Sequence, residues 1–222
     1  MINSYKEAIE LIIREYWKDG PDFSLNEKTP FTILFSCILS QRSRDVQTEE
    51  ASRKLFLKYR NLRELSNADL EELQALIKNV GLYKQKAKRI LEAAKYILEK
   101  YNGEIPNDFH KLIKIPGIGR KCANIILAYA FEKPAIAVDT HVYTIAKRLG
   151  IVDEKASHKK VEEALMDLMP KNLWRKVNIS LVRFGKAICK PIKPQCSKCP
   201  VKEVCKYYKN RGKRREISKQ NL

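Results

Sequence analysis

Ile115-Pro-Gly-Ile-Gly-Arg-Lys-Cys-Ala-Asn-Ile-Ile-Leu127 is the stretch whose reading decides the fold of this chain. Pro116 presets one backbone angle, and Gly117 and Gly119 supply the positive-φ conformations that a compact hairpin needs. Beyond the turn, Ala123, Ile125, Ile126, Leu127, Ala128 and Ala130 make a helix apolar on nearly every side, which predicts burial. A glycine turn opening onto a helix N-terminus offers free backbone N–H groups and the positive end of the helix dipole, and both favour a phosphate. Arg120 and Lys121 lie in the first turn, where the dipole opposes further positive charge. A lysine amine relieved of its proton beside a phosphodiester is a nucleophile.

On both sides of this turn the chain reads as helices, with no convincing period-2 run, so the fold is all-α. Ser4 and Glu7 form a capping box for a helix through Ala8, Ile9, Ile12 and Ile13, which Gly20-Pro21-Asp22 should stop. Thr29-Pro30 starts a very apolar helix through Ile33, Leu34, Phe35, Ile38 and Leu39. The polar segment Ser40 to Asp45 leads to a third helix running to about Tyr59. Ser66 is expected to cap a fourth, and a long fifth follows Gly81-Leu82-Tyr83 and stops at Asn102-Gly103. A short helix near Phe109 to Lys114 feeds the hairpin. Residues 77–87 align with 113–123, matching Gly81 to Gly117 and Ala87 to Ala123, which suggests a second helix–turn–helix of the same kind. Past the crossing at Glu132-Lys133-Pro134, Asp139 is placed as the N-cap of a helix ending at Gly150, and two more helices start near Ser157 and Asn172.

The formal net charge is +18 and the pI about 9.6, which points to a polyanionic partner. From Lys186 onward there are 12 Lys and Arg against 2 acids, a net of +10, with a basic tail from Lys206 to Arg215. Nucleic acid is the leading partner. An acidic membrane surface is the weaker reading, and no stretch is apolar enough to span a bilayer. The N-terminal helix carries Glu7, Glu10 and Glu15 among its apolar positions and is not a signal peptide, so the protein is expected inside the cell with its thiols reduced.

Four of the six cysteines, Cys189, Cys196, Cys199 and Cys205, are spaced C-x6-C-x2-C-x5-C, which reads as a metal site. Zinc modules use paired short knuckles separated by a longer spacer, and only one short pair exists here. An iron–sulfur cubane tolerates the uneven spacing better. Lys190, Lys193, Lys198 and Lys202 alternate with the ligands, as a phosphate-gripping loop requires. Cys37 and Cys122 read as packing residues in apolar helices.

Taken in order, the glycine hairpin, the Val138-Asp-Thr-His141 segment and the cysteine tail resemble the endonuclease III family of helix–hairpin–helix base-excision DNA glycosylases. The resemblance implies a six-helix barrel domain over residues 23–133. It implies a second domain from residues 1–22 and 134–222, carrying a 4Fe-4S cluster on the four cysteines, with the substrate site in the cleft between the two. Lys121 matches the family's nucleophile and Asp139 its catalytic aspartate. Gly117 and Gly119 match the hairpin that binds DNA phosphate, and Leu82 matches a wedge into the duplex; Arg120 in the hairpin and Lys190 and Lys193 in the cysteine segment are further DNA-binding candidates. The family has glutamine where this chain has Arg42, with Gln41 just before it, so either side chain could fill the gap left by the flipped nucleotide. Ser40 and Asp45 match positions near the damaged base, and His141, two residues past Asp139, is a further candidate for that pocket, with solvent exposure or packing as its competing role. The implied activity is removal of oxidised pyrimidines from double-stranded DNA and strand cleavage at the abasic site, by a monomer working with the DNA in the cytoplasm or nucleoid of a prokaryote.

Two other readings compete. A mismatch-specific glycosylase that only removes the base commonly has tyrosine or serine at the hairpin, where this chain has Lys121. A non-catalytic, metal-stabilised DNA-binding module explains the charge and leaves Lys121 and Asp139 without a task.

Overall fold

The computed structural model describes residues 2–18 and 28–210, and among them there are helices and turns but no strand. The α-helices are α1 (Tyr5–Tyr16), α2 (Pro30–Ser40), α3 (Asp45–Lys58), α4 (Leu62–Ser66), α5 (Leu70–Leu76), α6 (Tyr83–Tyr101), α7 (Phe109–Leu112), α8 (Arg120–Ala130), α9 (Thr140–Leu149), α10 (His158–Leu168) and α11 (Trp174–Ala187). They fall into two compact units, Asp22–Ala135 and Met1–Pro21 with Ile136–Leu222. The stop at Gly20-Pro21-Asp22 and the tail from Arg211 to Arg215 lie outside the described residues; α1 ends at Tyr16.

In the unit built from residues 22–135, α2 is the centre. The Thr32 N–H donates to Thr29 Oγ1 at 3.2 Å while the Thr29 N–H donates to Thr32 Oγ1 at 3.0 Å, a reciprocal cap with Pro30 in the first turn. Thr32 to Leu39 are all buried, and α3, α6 and α8 pack around them. Each large apolar side chain so enclosed contributes about 1.5–3 kcal/mol. The hairpin helix α8 is likewise buried from Cys122 to Tyr129. Helix α6 buries one stripe, Ala87, Ile90, Ala94 and Ile97, and leaves its other faces polar.

The expected cap at Ser66 is wrong. Asn61 starts a helix earlier, its Oδ1 accepting from the Glu64 N–H at 2.9 Å, and Ser66 is the last residue of α4. Asp69 caps α5 instead, accepting from the Glu72 N–H at 2.9 Å. The leucine periodicity runs on across the break and conceals it.

In the other unit α11 packs on both α1 and α9, and α10 packs on α9. Ile9, Ile12, Val142, Ile145, Leu165, Leu181 and Phe184 form the core. Asn172 does not cap a helix. It lies in a 3₁₀ turn, Lys171–Leu173, and α11 follows without a side-chain cap. The Trp174 indole N–H donates to Met169 O at 2.8 Å and fixes the entry angle in place of a cap. Gly150 ends α9 at φ +97°, and a Cβ there would lie 2.9 Å from Tyr5 Oη and 3.1 Å from Lys206 Cβ. Gly150→Ala should therefore lower stability by more than about 1 kcal/mol. Urea unfolding measures it, and an unchanged midpoint would contradict this account of the turn.

Candidate functional site: the hairpin, its flanking turns and the cysteine loop

The hairpin turn is closed by the Ile118 N–H donating to Ile115 O at 3.0 Å. Gly117 has φ +81° and needs to be glycine. Gly119 departs from expectation: at φ −96° and ψ 177° it has extended backbone that any residue adopts. A Cβ on Gly119 would meet nothing within 4 Å, so the turn itself does not call for glycine there. No side chain caps α8, and Arg120 and Lys121 are exposed in its first turn. The Arg120 guanidinium sits 4.8 Å from the centre of the Phe109 ring.

The aligned turn before α6 also reaches the surface. Leu82 is left-handed at φ +58° and 47% exposed, an unusual state for an apolar side chain. Gly81 before it is required by space, because a Cβ would lie 2.8 Å from Arg42 O. Its N–H donates to Ser43 Oγ at 3.1 Å.

In the segment after α2, Gln41 and Arg42 have different surroundings. Gln41 is committed: its Nε2 donates to Gly117 O at 2.8 Å, and its Oε1 accepts from Arg89 at 3.4 Å. Arg42 is exposed at φ +51° and has no hydrogen bond or ion pair among the described residues. Ser40 turns its hydroxyl back to Cys37 O at 2.9 Å, and Asp45 stands exposed at the start of α3.

Lys86 escaped the sequence reading. It is 1% exposed, and its Nζ donates to Leu39 O and Ser43 Oγ, each at 2.7 Å. Burial pushes its pKa from 10.5 down to about 8. The available signal was position, since Lys86 shares a stripe with Ile90, Ala93 and Ile97 at helical spacing. Cys37 and Cys122 are buried as expected, and their thiols also interact. The shared hydrogen bond draws the Cys122 pKa down to about 7 and, with burial, pushes that of Cys37 up.

In the other unit, Asp139 is half-buried and caps α9, its Oδ1 accepting from the Val142 N–H at 2.8 Å. That cap uses one carboxylate oxygen. The preceding run Ile136 to Val138 is buried, and Asn178 Nδ2 holds it by donating to Ala137 O at 2.8 Å. His141 packs its ring on α11, where a Cβ on Gly185 would come within 2.6 Å of Nδ1.

Cys189, Cys196, Cys199 and Cys205 line one cavity together with Arg148. Among the described residues no three potential ligands converge tightly enough for a single metal ion. Arg148 NH1 donates to Cys189 Sγ at 3.4 Å and to Lys190 O at 2.8 Å, while its NH2 donates to Pro191 O at 2.7 Å. Backbone N–H groups of Val201 and of Tyr207 and Tyr208 point at Cys199 and Cys205. Burial nevertheless raises the thiols of Cys189 and Cys205 and pushes Cys199 up to about 11. Lys190, Lys193 and Lys198 are exposed between the thiols.

Residues 35–171 match the HhH-GPD superfamily of base excision DNA repair proteins. Over 205 residues the chain is 48% identical to endonuclease III of Thermotoga maritima, covering 92% of this chain and 95% of that protein. The chain belongs to the endonuclease III family. It is also similar to two solved structures of the family. One is a trapped endonuclease III–DNA covalent intermediate, with 38% identity, 95% of this chain and 99% of that one covered, and a TM-score of 0.84. The other is a non-covalent endonuclease III–DNA complex, with 36% identity, 96% and 100% covered, and a TM-score of 0.86.

Lys86 gives this family member a pH signature. Between about 8 and 10.5 the unfolded chain holds more protons at this lysine than the folded one, so stability rises with pH in that window. Urea midpoints of wild type minus Lys86→Met should increase from about pH 8 to about pH 10, where the other groups cancel in the difference. A flat difference would show that the ammonium is not strained by its site.

Proposed function

We propose that this chain is a base-excision DNA glycosylase with AP lyase activity, acting on oxidised pyrimidines in duplex DNA. The observation that carries the reading is Lys121, exposed in the first turn of an uncapped helix directly behind a tight glycine turn. Family membership over nearly the whole chain supports it.

A base within a stacked duplex is out of reach, so the damaged nucleotide is first turned out of the helix, most easily where damage weakens stacking. The N–H groups at the start of α8 take a backbone phosphate, and the open space at Gly119 lets the strand come close. Arg42 and Leu82 contact the duplex from the neighbouring turns. The Lys121 amine attacks C1′ of the sugar and the base departs with the bonding electrons, taking up a proton. The ring then opens by breaking C1′–O4′, which leaves an imine between lysine and sugar. Loss of a C2′ proton pushes electrons toward C3′ and expels the 3′ phosphate, cutting the strand 3′ to the lesion, and water releases the lysine. The Asp139 carboxylate steadies the cationic sugar and assists removal of the lysine proton.

The cysteine loop fits a 4Fe-4S cluster. Four sulfurs surround a common cavity rather than a point, and Arg148 and backbone N–H groups are already aimed at three of them. When bound, the group would supply structure, drawing residues 189–205 together so that Lys190 and Lys193 face phosphate. The chain works alongside DNA, and no helix among the described residues is long and apolar enough to cross a membrane. Base removal alone, without the lyase step, is disfavoured by the lysine at position 121.

Borohydride reduction on a duplex containing an oxidised pyrimidine should trap a covalent adduct that Lys121→Ala abolishes; uncleaved, untrapped DNA with wild type would end the lyase reading. Asp139→Asn preserves the cap yet should slow turnover by about 100-fold or more, the ~2.7–4 kcal/mol of a lost electrostatic group. Wild-type turnover would make Asp139 purely structural. Gly119→Ala should unfold with wild-type urea midpoints but bind duplex more weakly, since its methyl occupies only the space that the phosphate needs.

A further inference from the structure

Lys86 has no task in the reaction just described. A buried lysine without a counter-ion is destabilising unless its donors are used, and no carboxylate pairs with this one among the described residues. Its two hydrogen bonds reach the carbonyl of Leu39, near the end of α2, and the hydroxyl of Ser43, in the turn that follows. The same Ser43 hydroxyl accepts from the Gly81 N–H, and within the same turn Gln41 donates to Gly117 O. Residues 41–43 are thus fastened both to the turn that opens α6 and to the hairpin that opens α8. Arg42 and Leu82, two left-handed residues with exposed side chains, lie on the two strands of chain that this fastening brings into contact.

We propose that Lys86 is a positioning residue which sets the 41–43 turn and thereby holds the Arg42 and Leu82 turns together as one DNA-binding edge. The inference rests on the reading that this face of the hairpin unit meets duplex DNA. Without the two donors, Leu39 O loses its partner, Ser43 can rotate away, and the end of α2 uncouples from the start of α6. The two turns must then be ordered when DNA binds, which weakens binding. Lys121 stands on α8 and reacts at close to its usual rate once the DNA is in place.

The test uses the full chain with Lys86→Met, Ser43→Ala and the double variant. Affinity is measured by fluorescence anisotropy on a duplex carrying a tetrahydrofuran abasic analogue. Strand cleavage is measured in single turnover on an abasic-site duplex at saturating enzyme. If wild type neither binds nor cleaves, the functional reading has failed, independently of Lys86. With wild type active, Lys86→Met should bind about tenfold more weakly or worse, with cleavage at saturation within about threefold of wild type. Ser43→Ala should weaken binding by about threefold, and the double variant should be no weaker than Lys86→Met, because both act through one contact. Wild-type affinity in Lys86→Met, or fully additive losses in the double variant, would overturn the proposal. Should Lys86→Met fail to fold, Ser43→Ala decides: weaker binding at an unchanged saturated rate supports the role, and wild-type affinity refutes it.

Discussion

The last turn of α2 ends inside the protein, and its carbonyl groups have to find donors there. Cys37 O receives the Ser40 hydroxyl at 2.9 Å and faces the Cys122 thiol at 3.8 Å, while Leu39 O receives the Lys86 ammonium. Two of these donors come from segments that also form the surface: Cys122 belongs to the hairpin helix and Lys86 to the helix behind Leu82, while Ser40 is the last residue of α2 itself. Satisfying one buried helix end therefore fixes two surface segments with respect to one another. A negative helix terminus is also a favourable place for a cation, which partly offsets the cost of burying Lys86.

The helix starts in the two units are finished in opposite ways. The start of α8 has glycine at the cap position and no capping hydrogen bond from it. The start of α9 is capped by Asp139, which holds the carboxylate in a fixed direction while using one oxygen. In the cysteine loop the last turn of α9 supplies Arg148, whose guanidinium reaches three backbone carbonyls and one sulfur between Cys189 and Pro191. The loop is thus organised by the protein's own donors.

The hairpin, the cap at Asp139 and the cysteine spacing were legible in the sequence because each is a local pattern with few physical solutions. What stayed hidden depends on distant partners. Ser66 looked like a cap because leucine periodicity continues through the real boundary, which Asn61 and Asp69 set. Gly119 looked like a positive-φ residue because it sits in a Gly-x-Gly turn, whereas only Gly117 takes that conformation. Lys86 sits among Lys84, Gln85 and Lys88 and reads as one more solvated charge. Its burial depends on a carbonyl 47 residues away in sequence. The hydrogen bond from Gln41 likewise has no local signature, because its carbonyl partner lies 76 residues further along.

The aligned repeats make the same point from another side. Under the alignment of Gly81 with Gly117, Lys86 falls on Cys122, and both side chains turn toward the C-terminal carbonyls of α2. The residue types differ because the turns before them differ. In the hairpin, glycine at 117 adopts the left-handed state at no steric cost, and a thiol among apolar neighbours suffices behind it. In the other repeat the left-handed residue is Leu82, and the facing turn has a second one in Arg42, each costing on the order of 1 kcal/mol. Asn102 and Glu132, which are also left-handed, merely follow the last residues of α6 and α8, where such a state is ordinary. Strain at Arg42 and Leu82 persists only if the surroundings over-determine it. The pair of 2.7 Å hydrogen bonds from Lys86, with the Gly81 N–H on the same serine, is the arrangement that does so.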